Sequence, residues 1–479
     1  MATQLLESVQ YRLTQHYIEK LRQANAVLRY NRDNSDHWFQ AIERDWAQIR
    51  NWQQWAFARI NDHSQCAQFC AAFGTVGATF VSVRQTAPER LKWYQQALQG
   101  AQQIADNQKE LELLYLVGTT AYQTGNFEEA ERCGKRLLEL GRDPTDHLTL
   151  GYGWFITGNI HSYRTELEGA EAAFRKALAH FEKCHAEIMI GHAVQGIARI
   201  MIFRGQYSEA LTYAKRYLEI IEAAGRESDF SLAYQTLSNI HTRLGNLEEA
   251  KSYAVKGVEI SRRLGYMRMI PSSLLILGYA ELALNELDAA WDHFQETIAA
   301  SHVNASKFDF TAATYSLGDV RLRQNNLTEA LTHYQQALTV ASESRLAAYR
   351  SLCSTGIAFI YTLQHEYAAA RGALRTAAET ALEIKSDILL AKALIPATKL
   401  WQETGRLETA AEWSGLLLLH PEHAEQQTVD AICAQLQAEI GTSRYLSAAE
   451  RGKTLTLKNA VTDVLRQLDQ LELAQPPNQ

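Results

Sequence analysis

An alanine recurs every 40 residues, eight times without a gap: Ala130, Ala170, Ala210, Ala250, Ala290, Ala330, Ala370 and Ala410. Three residues before each stands an apolar side chain: Phe127, Leu167, Tyr207, Leu247, Leu287, Leu327, Tyr367 and Leu407. Five before each stands Gly125, Thr165, Gly205, Gly245, Asn285, Asn325, His365 or Gly405. Self-similarity at a fixed period of this size marks a solenoid of stacked helical or strand units. Such a chain acts through an extended surface rather than a catalytic pocket.

A chain of 479 residues would otherwise suggest about three domains. The repeat overrides that prior, because each unit packs mainly on its neighbours. Only 7 prolines argue for long uninterrupted helices. A net charge of −7 argues against a nucleic-acid partner. No apolar run is long enough to span a membrane. The first residues, Met-Ala-Thr-Gln-Leu-Leu-Glu, lack the basic and apolar regions of a signal peptide. A cytoplasmic protein without membrane association is expected. Cys66, Cys70, Cys133, Cys184, Cys353 and Cys433 keep no repeat phase and read as reduced thiols.

Within one repeat, Leu114, Val117, Gly118 and Ala121 follow the spacing of a helix core stripe. Gly125 ends that helix in a left-handed turn. Asn126 caps the next helix, and Glu129 completes a capping-box pattern that recurs at Asn246 with Glu249 and Asn326 with Glu329. Asn285 and Asn325 replace glycine where a positive φ is needed. A second column of small residues holds Gly118, Gly158, Ala198, Ser238, Gly278, Gly318, Ala358 and Thr398. It is expected to let two antiparallel helices approach closely.

This pattern resembles the tetratricopeptide repeat. Residues 151–190 supply Trp154, Thr157, Gly158, His161, Ala170, Phe174 and Ala177, and residues 311–350 supply Leu317, Gly318, Ala330, Tyr334 and Ala337. The resemblance covers about 111–420. The period is 40 rather than the family's usual 34 or so, so the added residues lengthen either the helices or the inter-repeat turn. The resemblance implies an all-α fold: a right-handed superhelical solenoid of antiparallel helix pairs, with helical caps at both ends. Four segments are expected: an N-terminal cap or connector over 1–69, a degenerate repeat over 70–110, eight repeats over 111–420, and a C-terminal cap and tail over 421–479. Trp38, Trp46, Trp52 and Trp55 read as the shield of the first repeat. The ends are also similar to the sensor arm of bacterial STAND-type signalling NTPases, here without the NTPase module. The stretch from His16 to Trp55 resembles the connector, and Ala448, Ala449, Glu450, Arg451 and Gly452 resemble the close of the arm.

Candidate chemistry is sparse. Gly452-Lys453-Thr454 looks like the end of a phosphate-binding loop, but Ser447 stands where that loop needs glycine and the region reads as helical. His180, Cys184 and His185 have metal-compatible spacing without a further ligand, and His420 and His423 fall in a loop. No nucleophile elbow or zinc-protease motif occurs. No cofactor, metal or catalytic residue is expected, and an enzyme subunit is the most distant alternative.

In tetratricopeptide arrays the first helix of each repeat lines a concave groove. With Leu111 as helix position 1, the resemblance implies as groove residues Tyr152, Phe155, Asn159, Tyr163, Gln195, Arg199, Phe203, Gln235, Asn239, Arg243, Tyr279, Tyr315, Asp319 and Arg323. Asn and Gln both donate to and accept from a peptide backbone. Arginines fork onto carboxylates, and aromatics serve as anchors. The family's paired lysine and asparagine clamp for a C-terminal carboxylate is not reproduced. The expectation is a non-catalytic scaffold or sensor in bacterial signalling or regulation that holds a protein or peptide segment in this groove. A peptide-pheromone receptor is the alternative.

Overall fold

A computed structural model describes residues 2–30, 35–164, 166–265, 269–304, 306–420 and 426–473. Thr165, Pro421, Glu422, His423 and the tail 475–479 lie outside the described residues, as do the side chains of a few helical residues, Trp38 among them. The described residues form 24 α-helices and no strand. They fall into two compact units, Met1–Ser273 and Leu274–Gln479.

Unit 1 opens with α1 (Ala2–Tyr30), α2 (Ser35–Ala58) and α3 (Ser64–Val76), which pack on one another. The short α4 (Ala78–Arg84) leads to α5 (Ala87–Gln103), which lies against α3. Four helix pairs follow: α6 (Asn107–Gln123) with α7 (Phe127–Leu140), α8 (His147–Tyr163) with α9 (Leu167–Lys183), α10 (Glu187–Phe203) with α11 (Tyr207–Ala223), and α12 (Glu227–Arg243) with α13 (Leu247–Arg263). The division between units falls within α14 (Met269–Ala283). Unit 2 continues with α15 (Leu287–Asn304) and three pairs: α16 (Lys307–Arg323) with α17 (Leu327–Glu343), α18 (Ala347–Leu363) with α19 (Tyr367–Ile384), and α20 (Asp387–Glu403) with α21 (Leu407–Leu417). It closes with α22 (Gln426–Ile440), α23 (Thr442–Gly452) and α24 (Leu457–Leu473). Of these, α22 and α24 pack on α20, and α23 packs on α21.

The ladder sets the phase of every pair. Each apolar residue three before an alanine is the first residue of a second helix, from Phe127 in α7 to Leu407 in α21. Every alanine of the series is fully buried. Among the described residues the turns inside the pairs are left-handed at Gly125, Gly205, Gly245, Asn285, Asn325, His365 and Gly405. The turn between pairs repeats this half a period away, at Ala105, His185, Gly225, Gly265, Arg345 and Lys385. In α10 and α11 both helices run 17 residues. The residues added to the usual repeat therefore lengthen the helices and leave both turns short.

The asparagine half of the expected capping box forms in two places out of three, while the Glu129 and Glu329 side chains pair with Arg132 and Arg321 instead of completing it. The Asn126 and Asn326 side chains accept from the backbone N–H of Glu129 and Glu329, at 3.3 and 3.2 Å. Asn246 does not cap α13; its amide instead lies 3.3 Å from the His241 ring. Asn246 and Glu249 are thus a correction to the expected capping box. The neighbouring histidine on α12 competes for the same side chain.

The small-residue column works differently from a simple close approach of backbones. A Cβ on Gly158 would meet the Phe174 ring at 2.8 Å, one on Gly278 the Phe294 ring at 2.5 Å, and one on Gly318 the Tyr334 ring at 2.5 Å. The glycine makes room for an aromatic ring of the second helix. Where the column holds Ala198 or Ser238, the partner 16 residues on is Ala214 or Ala254, and Ala358 faces Leu374. In these six repeats the column and its partner trade volume, as a close-packed interior requires, whereas Gly118 stands opposite Gly134 and Ile156 of the next helix fills the space. Gly278→Ala is expected to destabilise unit 2 by about 1–3 kcal/mol through overpacking. Adding Phe294→Leu, which copies the Ala358 and Leu374 pair, should recover part of that loss. Urea unfolding of the single and double variants measures the coupling, and strict additivity would refute the volume balance.

At the N-terminal end, Trp46 of α2 stacks on Trp93 of α5 with centroids 5.9 Å apart. Trp52 meets Trp55 edge-on at 5.7 Å, and Tyr11 of α1 meets Trp55 edge-on at 5.6 Å. Aromatic edges and faces thus tie α1 and α2 to the first buried layer. Among the described residues no helix is long and apolar enough to cross a membrane.

Candidate functional site

Within unit 1 the first helices touch in succession, α6 with α8, α8 with α10 and α10 with α12. The second helices pack mainly on the first helices that flank them. The first-helix side is therefore the tighter one, and side chains of neighbouring repeats converge there. An aromatic row crosses it. Tyr115 stacks on Tyr152 at 4.4 Å, Phe155 lies 6.2 Å from Tyr115, and His192 lies 6.3 Å from Phe155. Burial pushes the Tyr115 hydroxyl well above its usual range, and Tyr152 and Asp229 push the same way.

Next to this row the polar groups are locked together. The Asn159 amide donates to the Phe155 carbonyl at 3.1 Å, one turn back on α8. Arg199 of α10 donates to the Asn159 side-chain oxygen at 2.9 Å, and its guanidinium stands 5.8 Å from the Phe174 ring centre. The buried Nε of Arg199 has no hydrogen-bond partner. Among the described residues no carboxylate lies within ion-pair distance of Arg199. Gln235 is committed elsewhere. Its amide nitrogen lies 2.9 to 3.2 Å from the hydroxyls of Ser231, Ser272 and Ser273. Ser231, Ser261 and Ser273 form a buried hydroxyl triangle with edges of 2.7 to 3.0 Å. Gln195 and Asn239 are half-buried on the same helix faces, and Arg243 is exposed. Tyr163 and Phe203 are exposed at the C-terminal ends of α8 and α10, with Tyr163 stacked on Phe127 at 3.6 Å.

One carboxylate, Asp229 at the start of α12, sits beside His192 and Arg226. Burial pushes the Asp229 carboxyl up, but His192 at 3.8 Å and Arg226 at 3.1 Å outweigh it and hold the group below the usual carboxylate range. A depressed folded pKa gives stability that is present above the unfolded value of about 3.9 and is lost as pH falls through the folded one. Asp229→Asn is therefore expected to lower stability at neutral pH, with the gap to the native chain closing below about pH 4. Urea midpoints across pH test this; a gap that persists in acid would assign the loss to packing.

In unit 2 the groove residues are arranged differently. Tyr315 and Asp319 line a small cavity together with Phe359, Lys392, Ile395 and other side chains of α16, α18, α20 and α22. The Tyr334 hydroxyl donates to Asp319 at 2.5 Å. Tyr279 meets Phe294 edge-on at 5.8 Å, and Arg323 donates to the Leu282 carbonyl at 2.8 Å; neither lines the cavity.

Sequence reasoning passed over His192, Asp229, Arg226 and Lys392. The column at helix position 2, which supplied Tyr152, also contains His192 and Lys392. Asp229 and Arg226 sit at the start of α12, before any column begins. The histidine and cysteine cluster does not assemble around an ion. His180 pairs with His147, their Nδ1 atoms 3.2 Å apart, and burial, with His147 and Lys183, lowers the His180 pKa. Cys184 lies 3.5 Å from the Phe181 carbonyl, and His185 sits in a left-handed turn. Among the described residues no three His, Cys, Asp or Glu side chains come together as a metal site. Gly452 of the Gly-Lys-Thr sequence ends α23 against the Glu412 carbonyl, so its small size serves packing.

Residues 232–263, which are most of α12 and α13, match the tetratricopeptide repeat family model. The chain is built of tetratricopeptide repeats. Response regulator aspartate phosphatase A of Bacillus subtilis (strain 168) is 24% identical over 186 residues, which is 39% of this chain and 43% of that protein. The chain thus spans less than half the length of that curated relative. A Rap protein complexed with competence and sporulation factor superposes with a TM-score of 0.51 at 16% identity, covering 80% of this chain and 99% of that one. The Cut9–Hcn1 hetero-tetramer of the APC/C gives a TM-score of 0.50 at 17% identity, covering 76% and 64%. At these identities the tetratricopeptide likeness is one of fold.

Proposed function

We propose that this chain is a non-catalytic, peptide-binding regulator whose ligand lies across the first-helix face of unit 1. The observation that carries this reading is Arg199. A part-buried guanidinium without a carboxylate partner weakens a fold, because its desolvation is not offset. Its presence makes sense where an anion arrives from outside. Asn159 orients it, Phe174 lies beside it, and Arg243 adds a second positive group near the same end. An acidic side chain or a terminal carboxylate of an extended peptide fits this end. The aromatic row of Tyr115, Tyr152 and Phe155 would take the peptide's apolar side chains. The name of the curated relative supports a role in signalling. The complex of a Rap protein with competence and sporulation factor supports the reading of the chain as a receptor for a signalling peptide. The six free cysteines favour a reducing compartment, so we place its work in the cytoplasm.

Calorimetry of the full chain against synthetic acidic, neutral and basic peptides tests the reading. Acidic peptides are expected to bind most tightly, and an Arg199→Ala, Asn239→Ala double variant to lose that preference. Failure of every peptide to bind, or unchanged binding by the double variant, would remove this face from the model of function.

A further inference from the structure

We infer that Gln235 sets the register of the bound peptide by accepting one of its backbone N–H groups, which rests on the peptide-binding reading of unit 1. A glutamine amide has a donor end and an acceptor end, so one that turns freely selects nothing. In this chain the hydrogens of a serine cluster hold the amide one way round.

Each serine hydroxyl has a single hydrogen to give. That of Ser261 goes to the Gly257 carbonyl at 2.8 Å, and that of Ser272 to the Met269 carbonyl at 3.1 Å. The triangle of Ser231, Ser261 and Ser273 is left with the hydrogens of Ser231 and Ser273 for its three edges. Its shortest edges, 2.7 and 2.9 Å, both run to Ser261 and take those hydrogens. Lone pairs then face each other across the 3.0 Å edge between Ser231 and Ser273. The Gln235 nitrogen lies 3.2 Å from the first of these oxygens and 2.9 Å from the second, and supplies the missing hydrogens. Turned over, the amide would set its oxygen against these lone pairs and against Ser272, whose hydrogen is already used. Any hydrogen redirected to that oxygen would be taken from one of the short edges.

The carbonyl oxygen of Gln235 is the end left over. Among the described residues nothing donates to it, and it is not sealed from water. Gln235 is half-buried one turn before Asn239, on the same helix face. An extended peptide presents N–H and C=O groups in alternation along its edge. A fixed acceptor pairs with an N–H and repels a carbonyl, so a slip of one residue is penalised. That register decides which side chains of the peptide reach the aromatic row. Gln235 lies on α12, which touches α10, and about one turn nearer its helix start than Arg199. Neighbouring axes are about 8–10 Å apart and a turn rises about 5.4 Å, which together equal roughly three residues of extended chain. The paired N–H thus stands about three residues from the acidic group that meets Arg199.

The test uses the full chain and one synthetic acidic peptide, the tightest of the calorimetric series, N-methylated at one backbone nitrogen at a time. A methyl group about three residues from the acidic side chain is expected to weaken binding roughly tenfold, the worth of one hydrogen bond. In Gln235→Met that peptide should bind within about twofold of its unmethylated parent, while penalties elsewhere persist. A full penalty in Gln235→Met, or no such position in the unaltered chain, would overturn the assignment and leave peptide binding standing. Binding of no peptide at all removes the peptide-binding reading and this assignment together. The amide itself is read on the unaltered chain by NMR. The side-chain amide protons of Gln235 should exchange with solvent at least roughly tenfold more slowly than those of free glutamine, and lose that protection in Ser273→Ala. Exchange at the free rate would overturn the fixed orientation whatever the variants do.

Discussion

Arg199→Met is expected to weaken binding of an acidic peptide by roughly 30-fold, which is about 2 kcal/mol and typical of an interface hot spot. The same substitution should leave the unliganded chain as stable as before, or more so. The two effects have one cause. Methionine keeps the aliphatic stem that packs near Phe174 but removes a part-buried charge that the fold leaves without a carboxylate partner. Replacing an uncompensated buried charge by an apolar group of similar length removes a desolvation penalty. Such a trade of stability for binding is common at functional positions. Fluorescence polarisation with a labelled acidic peptide reads the first effect, and urea unfolding reads the second. A variant that binds unchanged but unfolds more easily would make Arg199 a structural residue, tied to Asn159 for its own sake.

Gly452→Ala should cost unit 2 roughly 3 kcal/mol, the upper part of the usual range for overpacking. Glycine in a helix is ordinarily a weakness, and alanine there gains about 1 kcal/mol. The opposite sign is expected here because α21 and α23 cross at glycines. A Cβ on Gly452 would overlap the Glu412 carbonyl oxygen, and one on Gly415 would overlap the Ala449 backbone. A flexible side chain can move aside, but backbone can yield only if α23 shifts away from α21. That shift would disturb Tyr445, Ala448 and Ala449, which are buried in the same core. Chemical denaturation followed by Trp413, fully buried in that core, reads the loss. An unchanged midpoint would mean that the two helices are not held against each other in solution.

Much of the fold was legible in the sequence because its signals are periodic. The alanine ladder and the apolar residue three before it mark the starts of the second helices, and glycine or asparagine marks the turns inside pairs. The turns between pairs were not legible at Ala105, Arg345 and Lys385, since those residue types do not announce a positive φ. The reason for the glycine column was also missed. Gly158, Gly278 and Gly318 read as points of close helix approach, yet each accommodates a ring from the second helix. Of the groove residues, Arg199 and Asn159 meet across the neighbouring helices α10 and α8, whereas the Gln235 amide is drawn into a cluster of serine hydroxyls.

The sequence by itself determined the helix phase, and with it the side of each first helix on which Tyr152, Phe155, Asn159 and Arg199 stand. A period fixes the angle of a side chain about its own helix axis. It does not fix what lies across from that side chain on the next helix. Only the tertiary structure decided that Asp229 meets His192 and Arg226, that Tyr334 is clamped between two glycines to hold Asp319, and that α22 walls the cavity in unit 2. Each of these arrangements joins residues from different helices, and how those helices cross depends on the volumes packed between them.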